Sequence, residues 1–202
     1  MRIGYVLAVA ILVSACSEAP TESAKTKAPE KPSEPITGRQ AFQYTYPSAR
    51  IWAPDCQPLT IRSMNLDQVK SSDGKAGAWE IIYVSNQLAR ARPYTWSALE
   101  IDNLHKGVFP GREESWRGPT GQEMPFPPQS LKIDTPEALE TAIAKSKEYL
   151  DKPGDKPAVT FLLESTPRFP NPVWRVLWGT SVSSAKYFVT IDASTGALLG
   201  RN

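Results

Sequence analysis

Hydrophobic and polar positions divide the 202-residue chain into three regimes. After Met1 and Arg2, residues 3–15 run without a charge; residues 17–40 then hold Ile36 as their one large aliphatic and no aromatic ring; 18 of the 19 aromatic residues follow from Ala41 onward. Only the third regime has the apolar content to build a core. Its clearest pattern is helical: Leu139, Ala142, Ile143, Tyr149 and Leu150 share one stripe of residues 135–151, and Glu140, Lys145, Lys147 and Glu148 fall mostly away from it. Thr135 is placed to cap this helix, with Pro136 in its first turn and Glu137 at the positive end of its dipole. Lys152, Pro153 and Gly154 end it. The period then changes to two. Residues 158–163, 173–178 and 186–191, rich in β-branched and aromatic types, predict three strands, with Trp174, Val176 and Trp178 on one face of the second and Tyr187, Val189 and Ile191 on one face of the third. Asp192 and Gly196 bracket a turn before a short strand at 197–199.

An earlier stretch repeats this order more weakly. A helical turn at 47–52 leads to a strand at 59–64, a Ser-Asp-Gly turn at 72–74 and strands at 78–84 and 94–101. Trp79, Ile81 and Tyr83 parallel Trp174, Val176 and Trp178 at an offset of 95 residues. Between the copies, residues 105–132 hold five prolines and four glycines and read as a long irregular connection. The fold class is α+β: small antiparallel sheet packed against a helix, in a unit at 133–202 with a weaker copy at 41–132.

Composition narrows the chemistry. The 23 basic and 21 acidic residues give a formal charge of +2 with no long run of one sign, which argues against nucleic acid as a partner. One histidine, His105, and two cysteines, Cys16 and Cys56, leave too few ligands for a Cys/His zinc site; no metal or cofactor is predicted. Both Gly-rich phosphate-binding motifs are missing. His105 lies beside Leu104 and Lys106 without the carboxylate or serine pattern of a triad, and reads as an exposed loop residue. Glu113 and Glu114, next to Arg112 and Arg117, read as a solvated charged loop. Cys56, beside Pro54 and Asp55, reads as a packing residue. Arg90 and Arg92 before Pro93 read as a small basic turn within reach of lipid head groups.

The uncharged run at 3–15 reaches about 20 Å as a helix, short of the roughly 30 Å hydrocarbon core, so it reads as a signal segment rather than a membrane span. It ends in Val13, Ser14, Ala15 and Cys16, which resembles the bacterial lipobox. The resemblance implies that the Cys16 thiol receives a diacylglyceryl group, that cleavage falls before it, and that acyl chains such as palmitate hold the mature protein on the membrane. Ser17 takes the place where an Asp implies inner-membrane retention, so an outer-membrane location facing the periplasm is expected. Residues 16–40 then form a disordered tether of balanced charge, about 25 to 30 Å long as a coil.

The order helix, strand, Pro-Asn-Pro-Val-Trp-Arg-Val-Leu-Trp-Gly (170–179), strand 187–192 and the turn Asp-Ala-Ser-Thr-Gly (192–196) resembles a PepSY-type domain. The resemblance covers 134–200 and extends loosely to the earlier copy. It implies a non-catalytic interaction module of the envelope that regulates or accompanies a partner, a peptidase among the options, and brings no catalytic residues with it. Phe109, Trp116, Met124 and Phe126, large apolar residues in the irregular connection, either fold back on the core, the more common outcome for such residues, or form the candidate contact surface for a partner. A second reading holds a small ligand between sheet and helix, in a pocket lined by the tryptophans, and a third makes the protein purely structural.

Overall fold

The computed structural model describes residues 34–201 apart from 102, 120–122 and 155. The signal segment, the lipobox with Cys16 and the tether up to residue 33 lie outside the described residues. Strand β1 (Ile36–Thr37) leads directly into helix α1 (Gly38–Trp52). The tether expected to reach residue 40 therefore stops earlier, and the single turn expected at 47–52 is a helix of 15 residues. Its start is specified by a capping box: Thr37 Oγ1 accepts from the Gln40 amide and Gln40 Oε1 accepts from the Thr37 amide. Pro47 sits inside it and on its exposed side, where the missing N–H removes one helical bond. Ala41, Phe42, Thr45 and Ala49 form its buried stripe.

Three strands follow: β2 (Gln57–Met64), β4 (Ala78–Ser85) and β5 (Arg90–Ser97), with the two-residue β3 (Lys75–Ala76) pairing β1 in a small separate ladder. β5 starts four residues before its expected position and turns the predicted basic turn into strand: Arg92 Nε donates to Gly111 O at 3.0 Å, and Arg90 Nη1 donates to Ser115 Oγ at 3.1 Å. The connection forms β6 (Gly107–Pro110) and β7 (Glu114–Ser115), both paired to β5. Helix α2 (Thr135–Ala144) and the short α3 (Lys147–Leu150) replace the one continuous helix expected at 135–151. The break falls at Ser146, whose hydroxyl donates to Ala142 O at 2.6 Å and so competes with the helical ladder. The N-cap is Asp134, one residue ahead of the expected Thr135. Strands β8 (Val159–Glu164), β9 (Val173–Trp178), β10 (Tyr187–Asp192) and β11 (Leu198–Arg201) match the period-two segments closely.

All nine larger-sheet strands pair antiparallel in the order β11-β10-β9-β8-β2-β4-β5-β6, with β7 beside β5. The fold is thus α+β: one antiparallel sheet covered by α1 on one half and α2 on the other. β2 and β8 join the halves through three residue pairs, from Thr60↔Glu164 to Arg62↔Leu162. The helix-covered face carries Ile61, Trp79, Ile81, Tyr83, Phe161, Trp174 and Val176, all fully or almost fully buried. Burial of each such side chain contributes about 1.5 to 3 kcal/mol or more.

At the junction the helix starts meet. Trp79 Nε1 donates to Ile36 O at 3.0 Å and Trp174 Nε1 donates to Ile133 O at 2.8 Å, so each tryptophan holds the residue before a helix cap. The Gly38 amide donates to Thr135 Oγ1 (3.1 Å) and the Arg39 amide to Asp134 Oδ1 (2.9 Å). A Cβ on Gly38 would stand 2.8 Å from the Trp174 ring and 3.2 Å from the Trp79 ring, which explains glycine there.

Candidate functional site

The site is built where β2 leaves β8. After Met64 the chain swings into a loop, Asn65 to Ser72, while β8 continues back to Val159. Ser63 Oγ accepts the Phe161 amide at 2.9 Å, and Asn65 Nδ2 donates to Thr160 Oγ1 at 3.2 Å, so side chains replace the missing ladder. Ser71 Oγ donates to Asn65 Oδ1 at 2.7 Å and closes the loop on itself. The loop ends in a tight turn in which Ser72 and Lys75 exchange both backbone bonds around Asp73 (φ 51°) and Gly74 (φ 77°). Gly74 approaches the start of α2 so closely that a Cβ would lie 2.4 Å from Pro136 N.

Between this loop and the helices lies an open cavity of about 650 Å³. Leu139 and Ile143 of α2, Leu150 of α3, Val159 and Phe161 of β8 and Trp178 of β9 give it an apolar floor and wall. Asp67, Lys70, Asp73 and Lys75 stand around it with no net charge. Ile143 is 45% exposed at this place, a large aliphatic left uncovered by the fold. Size and lining match those of sites that hold an apolar group and orient it with a few polar ones.

The tryptophan-lined pocket expected between sheet and helix is therefore present in part: Trp178 lines the cavity, whereas Trp174 is fully buried in the core. Leu139, Ile143 and Leu150 were legible as a stripe. The turn at 72–74 was legible as well, but the loop at 65–71 was not, because it carries only Leu66 and Val69 as apolar residues among polar ones, and its role comes only from the place where β2 ends.

The candidate contact residues separate. Phe126 is 1% exposed and belongs to the core, its amide donating to Pro58 O at 3.0 Å, so it offers no surface to a partner. Phe109 is 44% and Met124 38% exposed. Trp116 is half-buried, and its Nε1 donates to Asn86 Oδ1 at 3.1 Å. These residues lie on β6, at the isolated Met124↔Ser165 bridge and beside β7, and none of them lines the cavity.

His105 is exposed, its Nδ1 2.7 Å from Glu100 Oε1 and its ring 4.1 Å from that of Phe109. Glu113 accepts from Trp52 Nε1 at 3.0 Å and lies 3.5 Å from Arg92; Glu114 sits exposed in β7. Cys56 is buried in the core, and burial pushes its thiol up to about 11, against a smaller lowering by Arg50. The turn after β10 is held by Asp192. Burial alone would raise its carboxyl, but Asn171 Nδ2 (3.0 Å) and the amides of Ser194 (2.8 Å) and Thr195 (2.9 Å) outweigh it and hold the group below the usual carboxylate range. Among the described residues, no group of three or more His, Cys, Asp or Glu is placed to hold a metal ion. Nor is any described helix long and apolar enough to cross a membrane.

No protein-family model matches the chain, and no curated protein matches it. Its fold is similar to that of the crystal structure of a candidate lipoprotein from Clostridium difficile 630, with a TM-score of 0.52 over 86% of this chain and 95% of that one. Only 9% of residues are identical, so the likeness concerns the fold.

Proposed function

We propose that the chain is a lipid-anchored protein of a bacterial envelope, carried on Cys16 at the outer membrane and facing the periplasm, whose folded part holds a partner rather than converting a substrate. The observation that carries the binding role is the open apolar cavity beside α2, with Ile143 exposed in it. The anchor rests on the lipobox-like Val-Ser-Ala-Cys at 13–16, and a fold shared with a candidate lipoprotein agrees with it. Two PepSY-like units in tandem account for the architecture. In support, Thr37 and Asp134 cap the helices through boxes closed by Gln40 and Glu137, at one offset of 97 residues, and Trp79 and Trp174 donate to the residues just before those caps. An envelope peptidase is the partner class that the resemblance favours. A small apolar ligand is the second reading, and the volume of the cavity favours it.

The test is a photo-cross-linking amino acid placed at Ile143 in the native envelope, with Ile51, 87% exposed on α1, as the control. A single adduct from position 143 that position 51 does not give is expected, its mass separating protein from small ligand. Identical adducts from both positions would remove the binding role. In parallel, radiolabelled palmitate is expected to enter the wild-type chain and to be lost in Cys16→Ala, together with membrane fractionation. Label retained in that variant would overturn the anchor.

A further inference from the structure

The cavity and the unfinished edge of β8 adjoin. We propose that together they take an extended, net-neutral peptide segment, which adds to β8 as a short strand and lays one aliphatic or aromatic side chain in the cavity. This rests on the binding reading above and names its ligand class.

The edge comes first. On the β9 side, Val159 stands opposite Trp178, and the Gly179 amide donates to Ala158 O at 3.2 Å. Backbone groups alternate along an antiparallel strand, so the N–H and C=O of Val159 face the other way, towards β2. But β2 has already left: its pairing ends at Arg62↔Leu162, and the next inward amide, that of Phe161, is taken by the Ser63 hydroxyl. Among the described residues no strand pairs with Val159 on that side. An edge of this kind recruits extended chains through main-chain bonds, with specificity from pockets for alternate side chains.

The pocket supplies that second element. Val159 and Phe161 direct their side chains to the helix-covered face, where both line the cavity. A strand laid beside them turns every second side chain to the same face, against Leu139, Ile143 and Trp178. Charge then selects among apolar ligands. Asp67 and Asp73 balance Lys70 and Lys75, so a fatty acid or an anionic lipid finds no surplus of positive charge for its head group, whereas an uncharged amide backbone needs none.

The experiment uses the full-length protein in lipid nanodiscs and a panel of blocked, uncharged seven-residue peptides with Leu, Ile, Phe or Trp at the centre, bound peptide being read by fluorescence anisotropy. The same peptides N-methylated at alternate amides keep the side chains but lose the strand donors. Expected are saturable binding by at least one peptide, a weakening of about tenfold or more on N-methylation or in Ile143→Glu, and slower exchange of the Val159 amide when peptide is bound. Ile143 is exposed, so its replacement leaves the core intact. Equal binding of the N-methylated peptides would overturn strand addition. No binding of any peptide, with a small-ligand adduct still captured at position 143, would overturn the peptide class and leave the binding role standing. No peptide binding and no specific adduct would remove both.

Discussion

Asp134 serves two helices at once. Its carboxylate accepts from the Thr135 amide at 2.7 Å as the cap of α2 and from the Arg39 amide at 2.9 Å in the first turn of α1. Asp134→Ala is therefore expected to cost about 2 kcal/mol, more than one cap alone, as a lowered urea midpoint. Amide exchange should accelerate at 38–41 as well as at 135–138; a change confined to the second segment would show that the bond across the halves is idle. Asp192 gives a pH dependence whose sign follows from its environment. Its carboxyl lies lower in the folded chain than in the unfolded one, so its contribution is complete above the unfolded value of about 4 and is lost as pH falls through the folded value. Asp192→Asn should lower stability at pH about 6 and flatten the acid limb below pH about 4, measured by urea unfolding across that range. A limb unchanged in slope would assign acid sensitivity to other carboxylates, Asp55 first, which the Ser85 hydroxyl and the Gln87 amide also hold low against its burial.

Among the elements, α1 shows where a proline misleads. Pro47 is the tenth residue of a helix that continues past it and is tied to the sheet on either side of it: Thr45 Oγ1 lies 2.8 Å from the Tyr83 hydroxyl, and Tyr94 donates to Ser48 O at 3.4 Å. Pro47→Ala restores a donor on an exposed face and should raise stability by about 1 to 3 kcal/mol, read as a higher urea midpoint. A fall would show that α1 needs the local distortion. The same proline explains why only 47–52 was legible as helix, since the residues before it carry a polar and aromatic mixture without a clean stripe. In the second half the reading was closer. Val173–Trp178 is the strand its alternation predicts, because both tryptophans and Val176 face a single core. The cavity was legible only through its floor. Leu139, Ile143 and Trp178 declare themselves as apolar, but an opening between strands depends on where pairing stops, and Ser63 and Asn65 carry no pattern that announces it.

For the molecule as a whole, the two halves are unequal in what they offer. The first half encloses Tyr83, Tyr94, Phe42 and Tyr46 in one aromatic cluster, with Phe42 and Tyr46 stacked at 4.9 Å. The second, with α2 broken at Ser146 and α3 reduced to Lys147–Leu150, leaves the cavity open beside it. One sheet thus has a closed half and an open one, and the opening of the second is walled by a loop of the first half that reaches over to it.

The shared helix starts also bear on the order of events as the chain is made. Residues 38 and 39 leave the ribosome about a hundred positions ahead of Asp134 and Thr135, the groups that satisfy their amides. Until those arrive, α1 has only its own Thr37 and Gln40, and β2 has no β8 beside it. The first half therefore completes its hydrogen bonding only once residues 134–164 have been made.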